Sequence, residues 1–297
     1  MSHSTQVTEV VLAHRDAGRF FRANGVGSFV RTEGAGEPIV LVHGLPTSSF
    51  LYRRVLPELA AAGFQGVAFD LPGLGLAERP RDFDYSISGL SDWCVSAVGE
   101  LGLDTFHLVV HDAGGPVGFG LAARLKHRIA SLTIFDTVLG AGRIPFPGEL
   151  LARFSSEMSG PFASKLAWRE LMYRVGIEDR TAVSRADIDA YRILTLGSDG
   201  GWGYLQIMSA LRKTDESARY LDVVDSRTAP YPIDVAWGAH DRVLPVGSRG
   251  AAMLRATGLP AMTVIPAKHY PQEDRFLEVA QFIVQNARRG TRLSAVE

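Results

Sequence analysis

The sequence predicts an α/β fold, and three observations support that class. Short apolar runs alternate with helical patterns through the N-terminal third of the chain, instead of segregating into all-α and all-β halves. Some runs, such as Ile39-Val40-Leu41-Val42, are continuously apolar, as expected for a strand covered on both faces. Polar or Gly-rich loops follow several of these runs, and the carboxyl ends of strands are where open parallel sheets bind ligands.

Length and composition restrict the class of protein. A chain of 297 residues indicates one large α/β domain or a core with an insertion, and 46% hydrophobic residues can form a large core. A net charge of −1 gives no long-range attraction to nucleic acid or an anionic membrane. The single cysteine, Cys94, lies in a helical pattern and is interpreted as a core thiol, which favours a reducing compartment. Because Met1 to Gly18 is polar and no segment has the length of a membrane span, we expect a cytoplasmic protein.

Seven segments have the length and apolar character of strands. They are Gly27 to Arg31, Pro38 to Val42, Gly66 to Phe69, Phe106 to Val110, Ala130 to Phe135, Ile233 to Trp237 and Met262 to Ile265.

Helices are predicted between these strands from apolar positions at helical spacing. The first begins at Ser48 or Ser49, which can cap it, runs to about Ala62 with an apolar face, and ends at Gly63; the apolar positions are Leu51, Val55, Leu56 and Leu59. The others are about Ile87 to Leu101, Pro116 to Lys126, Ser248 to Ala256 and Arg275 to Arg288.

The pattern changes from about Gly140 to Ser226, where the strand pattern is lost and helical segments are separated by Gly-rich loops. These segments lie around Pro147 to Glu157, Ala163 to Val175, Arg185 to Leu194 and Gly203 to Leu211. We therefore predict a core made of residues 1–139 and 227–297, with residues 140–226 as a helical insertion.

The stretch from Phe106 to Pro116 reads as a strand, a sharp turn and a helix. Small residues after Asp112 would let the strand and helix backbones approach closely and leave Asp112 projecting from a strained turn. Asp112 is therefore either a nucleophile or the N-cap of the following helix.

Two further loops at strand ends supply possible partners, Asp241 after the strand that ends at Trp237, and His269 after the strand that ends at Ile265. Singly, Asp241 could cap a turn and His269 could be a surface group. Together, the chain order of nucleophile, acid and histidine at one sheet edge favours a catalytic triad.

Four motifs carry a resemblance to a known family. They are His43-Gly44-Leu45-Pro46-Thr47-Ser48-Ser49, Asp70-Leu71-Pro72-Gly73-Leu74-Gly75, His111-Asp112-Ala113-Gly114-Gly115 and His269-Tyr270-Pro271-Gln272-Glu273-Asp274. With them the sequence resembles the α/β-hydrolase superfamily, in the branch of haloalkane dehalogenases and epoxide hydrolases that use aspartate where esterases use serine. The resemblance covers nearly the whole chain outside the insertion. It implies the α/β-hydrolase fold, a mostly parallel central sheet flanked by helices, with 140–226 as a helical cap.

The resemblance also implies a mechanism. The ionised Asp112 would displace a leaving group from an sp³ carbon to form an alkyl ester, and His269, oriented by Asp241, would activate the water that hydrolyses it. Backbone N–H groups of Leu45 and Ala113 match the family's oxyanion hole. Asp136 occupies the position at which some dehalogenases carry the acid, so it is the alternative to Asp241, or else it holds the start of the cap.

The same resemblance separates the possible reactions. Dehalogenases of the family hold the halide with a tryptophan after the nucleophile and often an asparagine in the oxyanion loop, whereas this chain has Ala113 and Leu45, which lack side-chain donors. Fluoroacetate dehalogenases place arginine after the aspartate. Epoxide opening instead needs an acid, which in related hydrolases is a cap tyrosine. The insertion offers Tyr191 and Tyr204, beside its Gly-rich loop, and Tyr173.

An epoxide hydrolase is therefore the expected function. The alternatives are a haloalkane dehalogenase-like hydrolase with an atypical halide site, a non-hydrolytic lyase or cyclase, and a binding protein, which would have no need of all three triad groups. The expected partners are a small-molecule substrate and water, without a metal or cofactor, nucleic acid or membrane. The sequence gives no indication of oligomeric state.

Overall fold

One sheet organises the structure. The computed structural model describes residues 2–139, 164–213 and 220–294, and its eight strands are arranged in the order β1-β2-β4-β3-β5-β6-β7-β8. The first two strands pair antiparallel with their neighbours, and every later pairing in the sheet is parallel. The α/β-hydrolase fold predicted from the sequence is confirmed.

The strand bounds in the structure are as follows: β1 Arg19–Ala23, β2 Val26–Glu33, β3 Pro38–Val42, β4 Gln65–Phe69, β5 Phe106–Asp112, β6 Ile129–Thr137, β7 Ile233–Gly238 and β8 Thr263–Ile265.

The α-helices are α1 His3–Asp16, α2 Val55–Ala61, α3 Ile87–Glu100, α4 Gly114–Arg124, α5 Lys165–Val175, α6 Arg185–Leu196, α7 Trp202–Lys213, α8 Leu221–Val224, α9 Ala251–Thr257, α10 Pro271–Asp274 and α11 Phe276–Ser294. Short 3₁₀ segments lie at Ser49–Tyr52, Lys126–Arg128 and Gly197–Asp199, and a π-helical turn at Val246–Gly250 precedes α9.

Helices cover the sheet in two pairs: α2 packs with α11, and α3 packs with α4. The residues of β5 are buried up to Asp112, which lies at the carboxyl end of the strand. Cys94 lies buried on α3, as the core interpretation predicts, and burial raises the pKa of its thiol. Within the described ranges, no helix is both long and apolar enough to cross a membrane.

All seven predicted strands are present, and each of their ends lies within two residues of the predicted bound. The predicted helix from Ser48 or Ser49 to Ala62 is wrong as one element, because a 3₁₀ turn capped by Ser48 ends at Tyr52 and α2 begins at Val55. Its predicted apolar face is nevertheless buried at Leu51, Val55, Leu56 and Leu59. The helix predicted at 147–157 lies outside the described residues.

The N-terminal helix α1 and strand β1 are not among the sequence predictions. Helix α1 buries few of its side chains, among them Val7 and His14, so it has little amphipathic pattern to read. Its start is fixed by the Ser2 cap, and His3 near that end contacts Asp189 of α6 at 2.9 Å. Tertiary contacts therefore place this helix where periodicity indicates only a polar segment.

Candidate active site

Asp112 stands at a strained turn between β5 and α4. Its φ of 51° lies in the left-handed region, which is uncommon for a residue with a side chain. The close approach requires glycine nearby: a Cβ on Gly44 would lie 2.4 Å from the Asp112 Cβ, and one on Gly114 would lie 2.5 Å from the carbonyl oxygen of His43. Since Ala113 is the N-cap residue of α4, the interpretation of Asp112 as the cap is wrong.

The Asp112 carboxylate has two different partners. The Leu45 N–H donates to Oδ1 at 2.7 Å, and Oδ2 lies 3.3 Å from His269 Nε2. Burial alone would raise the pKa of Asp112, but the hydrogen bond and charge of His269, with the Leu45 amide, hold it below its ordinary value. The carboxylate is therefore ionised at neutral pH.

One of the two predicted oxyanion donors, the Leu45 N–H, contacts the Asp112 carboxylate directly. The position of a Cβ on Gly44 would be 2.4 Å from Asp112 Oδ1 and 2.8 Å from the Ala113 nitrogen, while Leu45 N donates to that same oxygen. His43 anchors the loop that contains Gly44 and Leu45. Its Nε2 accepts from Leu71 N at 3.0 Å, and its Nδ1 donates to Gly44 O at 3.0 Å. These contacts hold the loop that carries the Leu45 N–H in place.

His269 connects Asp112 to a second carboxylate. Its Nδ1 lies 2.7 Å from Asp241 Oδ2, and the imidazole is almost completely buried. Burial lowers the pKa of His269, but the charges and hydrogen bonds of Asp241 and Asp112 outweigh it and raise that pKa well above the ordinary value. In this state Asp112 and Asp241 are anions on either side of an imidazolium.

Asp241 is itself held by the turn after β7. Its Oδ1 accepts from Val243 N at 2.7 Å and Leu244 N at 2.9 Å, which leaves Oδ2 for His269. The structure therefore brings together Asp112, His269 and Asp241, as the order along the chain indicates.

Asp136 lies in the same cluster. Its Oδ1 accepts from Gly238 N at 2.7 Å, so its side chain points towards the end of β7, while the start of the insertion, from residue 140, lies outside the described residues. Among the described residues, Asp136, Asp241 and His269 place one donor atom each within 4.8 Å of one another, a spacing that could suit a metal ion. Because His269 Nδ1 and Asp241 Oδ2 already bond to each other, that pair is occupied by a proton.

Two tyrosines lie near Asp112, one from α7 and one from the histidine loop. The negative charge of Asp112 adds to burial in raising the pKa of both Tyr204 and Tyr270. The Tyr270 hydroxyl donates to Leu45 O at 3.3 Å, beside the amide that contacts Asp112. Both phenols are therefore neutral, and each carries a hydroxyl that can donate a hydrogen bond in the neighbourhood of Asp112.

The other two predicted tyrosines have different acceptors. Tyr191 donates to Glu273, and Tyr173 donates to Val183 O at 3.3 Å. Burial and the charge of Glu273, without a contribution from Asp112, raise the pKa of Tyr191. Of the three tyrosines named from the sequence, Tyr204 is the one whose pKa is raised by the charge of Asp112.

Sequence reasoning missed Tyr270 and His111 as individual residues, although both lie inside the quoted motifs. His111 Nε2 donates to His269 O at 2.7 Å and so fixes the backbone of the histidine loop. Burial and the nearby His269 lower the pKa of His111 to about 4, so it stays neutral. The signal available for Tyr270 is its place next to His269, which carries a hydroxyl to the same sheet edge.

A buried ion pair ties the histidine loop to the insertion. Glu273 is fully buried, accepts from Tyr191 and accepts from Arg53 Nη2 at 3.0 Å, and Arg53 also lies 3.2 Å from Asp187 of α6. Charges are costly to bury unless they are paired. The pairing therefore locks three chain segments together beside His269.

We expect Glu273→Gln to lower the free energy of unfolding by about 3 kcal/mol, because it leaves the Arg53 charge buried with one fewer anion. Urea unfolding of the two proteins measures the difference. Glu278→Gln is the matched control, since Glu278 is half-exposed, with a 4.0 Å contact to Arg275, and should change stability by less than about 0.5 kcal/mol. Equal effects of the two substitutions would contradict this role of Glu273.

Comparisons with known proteins identify the family of the chain. A model of the alpha/beta hydrolase fold family matches residues 37–276. The cis-3-alkyl-4-alkyloxetan-2-one decarboxylase of Shewanella oneidensis is 38% identical over 129 residues, a match that spans 42% of this chain and 40% of that protein. Haloalkane dehalogenase 2 of Mycobacterium tuberculosis is 30% identical over 85% of this chain and 88% of its own length.

A solved structure is similar over most of the chain. The epoxide hydrolase VrEH1 of Vigna radiata superposes with a TM-score of 0.69 at 19% identity, covering 90% of this chain and 96% of that one. At this identity the likeness concerns the fold.

Proposed function

Because this chain belongs to the alpha/beta hydrolase fold family, we propose that it is an epoxide hydrolase that works through an alkyl ester on Asp112. The observation that carries the proposal is an ionised carboxylate 3.3 Å from His269 Nε2, with Tyr204 and Tyr270 nearby as neutral hydroxyl donors. A carboxylate needs no base before it attacks, whereas a serine would.

In the first half of the proposed reaction, Asp112 Oδ2 attacks a ring carbon of the epoxide and the bond from that carbon to the ring oxygen breaks. The alkoxide that forms takes a proton from Tyr204 or Tyr270, which become the acid candidates of the site. The product is a hydroxyalkyl ester, and the leaving oxygen stays attached to the substrate through the other carbon.

In the second half, His269 Nε2 removes a proton from water as the water attacks the Asp112 carbonyl carbon. Negative charge develops on Oδ1, the oxygen that already accepts from Leu45 N, and the Ala113 N–H is the second proposed donor. Such donors are typically worth about 3 kcal/mol each. Collapse of this intermediate breaks the bond between the carbonyl carbon and the ester oxygen, and the departing alkoxide takes the proton that His269 removed from water. The Asp112 acid then gives its proton to His269, so the diol leaves, the carboxylate is regenerated and one water is consumed for each epoxide.

The structure supports a change of role for His269 between the two halves. In the free enzyme the charges of Asp241 and Asp112 raise its pKa. Ester formation removes the Asp112 charge from a point 3.3 Å from Nε2, so the pKa of His269 falls, the imidazolium gives its proton to the tyrosinate left by ring opening, and the neutral ring becomes available as a base. The covalent step thus prepares the hydrolytic step.

The residues around Asp112 favour an epoxide over a haloalkane. Leu45 and Ala113 carry no side-chain donor to hold a departing halide. An epoxide oxygen needs instead a hydroxyl donor near the attacked carbon, and the two tyrosines supply that type of group.

We further propose that residues 140–226 are the cap of the site. In its described part, α7 carries Tyr204, and the backbone of the preceding residues meets the core directly, since a Cβ on Gly203 would lie 2.7 Å from Gly73 Cα. Arg79 of the core also donates to Leu194 O at 2.8 Å. These contacts support a cap that presents Tyr204 to Asp112.

A lyase acting on a strained lactone is the second candidate, because the decarboxylase relative is named for an oxetan-2-one. Such a ring also needs no halide site. Loss of carbon dioxide from it leaves an alkene and consumes no water, so the two reactions differ in their products.

A panel of an aryl epoxide, a bromoalkane and a dialkyl oxetan-2-one tests the proposed function. We expect turnover of the epoxide to its diol, measured by chromatography, with kcat/KM at least about tenfold higher than for the other two. Preferential bromide release would support a dehalogenase, and preferential alkene formation would support the lyase; either result would contradict the proposal.

Tyr204→Phe is expected to lower kcat for the epoxide by about 10²-fold, because the alkoxide loses its proton donor. Tyr270→Phe should act in the same direction, while Tyr173→Phe, whose hydroxyl donates to Val183 O, is the control. Unchanged kcat in both Tyr204→Phe and Tyr270→Phe would remove the two hydroxyls from the reaction.

A further inference from the structure

Two buried carboxyl groups lie beside one histidine. Asp136, the residue before the last one of β6, has a φ of 30°, and its side chain is buried with Oδ1 accepting from Gly238 N at 2.7 Å. Together with Asp241 and His269 it forms a cluster in which one polar atom of each lies within 4.8 Å of the others. Both aspartates are aimed at the same buried space.

The two carboxyl groups accept different numbers of hydrogen bonds. Asp241 accepts three hydrogen bonds, from Val243 N, Leu244 N and His269 Nδ1. Asp136 accepts one, and its Oδ2 is buried with no hydrogen-bond partner among the described residues. Three donors stabilise the ionised form of Asp241, whereas Asp136 has a single donor and an anionic neighbour.

Two adjacent carboxylates without solvent cannot both be ionised at low cost, so the pair holds a proton. The donor count places that proton on Asp136 Oδ2, from which it can reach Asp241. Burial, and then the negative charge of Asp241, raise the pKa of Asp136 well above its ordinary value. The other titratable group that faces it is His269, and Asp112 lies beyond the imidazole, 3.3 Å from Nε2.

We propose that Asp136 is a positioning residue, a neutral carboxylic acid whose O–H donates to Asp241 and limits how tightly Asp241 holds the proton of His269. This inference rests on the proposed function for its effect on rate, although the protonation itself does not. The acid donates a fourth hydrogen bond to Asp241. Because Asp136 is neutral, the imidazole of His269 has two carboxylate anions near it, Asp112 and Asp241, instead of three.

The consequence for the reaction has a definite sign. Without the Asp136 donor, Asp241 concentrates more negative charge on Oδ2, and the pKa of His269 in the ester rises. His269 is then protonated up to a higher pH and cannot activate water there, so the acid limb of the kcat profile moves to higher pH. An amide at position 136 keeps the donor and should keep the limb in place.

Infrared difference spectroscopy on the full chain tests the protonation without any substrate. We expect the carbonyl band of a protonated carboxylic acid at neutral pH in the wild type, and its loss in Asp136→Asn. Asp225→Asn is the matched control, because the pKa of Asp225 is lowered to about 2 by its Arg227 partner and it carries no such proton. A wild-type spectrum without the band, or an unchanged band in Asp136→Asn, would overturn the proposal even if the enzyme forms no ester.

The pH profile of kcat for an aryl epoxide then tests the positioning role. Asp136→Ala should lose about tenfold in kcat and show the shifted acid limb, and Asp136→Asn should recover most of the rate and the wild-type limb. If Asp136→Asn loses as much as Asp136→Ala, Asp136 is an ionised acid and the proposal is wrong. Inhibition by zinc that chelation reverses and that Asp136→Asn abolishes would also overturn it, in favour of a metal site.

Discussion

Asp112→Asn is expected to lower kcat by about 10⁵-fold, the largest effect of any single substitution in the protein. The amide can still accept from Leu45 N through Oδ1, so the fold and the turn between β5 and α4 should survive. What disappears is the negative charge that makes this side chain a nucleophile and that raises the pKa of His269. Steady-state diol formation with a purified, folded variant measures the loss.

Asp92→Asn provides the control for Asp112→Asn. Asp92 lies on α3, is exposed and pairs with Arg124, and it is not among the active-site residues described above. Its neutralisation should therefore leave kcat unchanged. Residual activity above about a tenth of wild type in Asp112→Asn would show that the covalent step does not depend on this carboxylate.

His269→Gln is expected to separate the two halves of the reaction. Attack by Asp112 needs no base, so the ester should still form, while its hydrolysis loses the group that activates water. Steady-state kcat should fall by about 10³-fold or more, and one substrate should remain bound to each chain. Intact-protein mass spectrometry shows the adduct as an added substrate mass.

The wild type should show the same behaviour at low pH. Asp112 has a pKa below its ordinary value, so it remains a nucleophile when the pH is lowered, whereas protonated His269 cannot act as a base. The ester should therefore accumulate as pH falls through the pKa of His269 in the ester.

Rapid turnover by His269→Gln without an adduct would contradict the assigned role of His269 as the base.

The fold was largely predictable because buried parallel strands leave a strong local pattern. The run ending at Val42 is continuously apolar, and in the structure it lies in the middle of the sheet, between β4 and β5. Helix α1 left no such pattern, since its position depends on contacts such as that of His3 with Asp189. The split of the helix after Ser48 likewise depends on tertiary contacts, among them Asp70 Oδ1 accepting from Ser49 N at 2.7 Å.

For the site, the order along the chain was enough to bring Asp112, Asp241 and His269 together, because parallel strands place their carboxyl ends at one edge. It could not decide among tyrosines. Tyr191 and Tyr204 look equivalent beside the Gly-rich loop. In the structure the Tyr191 hydroxyl donates to Glu273, whereas the charge of Asp112 contributes to the raised pKa of Tyr204. The proton on Asp136 was beyond the sequence too, since it depends on a count of donors in three dimensions.

Single-turnover reaction in heavy-oxygen water, followed by mass analysis of the peptide that carries Asp112, tests the ester most directly. Hydrolysis at the Asp112 carbonyl transfers the water oxygen to the carboxylate, so we predict one heavy oxygen in that peptide and none in the diol from the first turnover. Heavy oxygen found in the diol, with an unlabelled Asp112 peptide, would contradict the covalent account by showing direct attack of water on the epoxide.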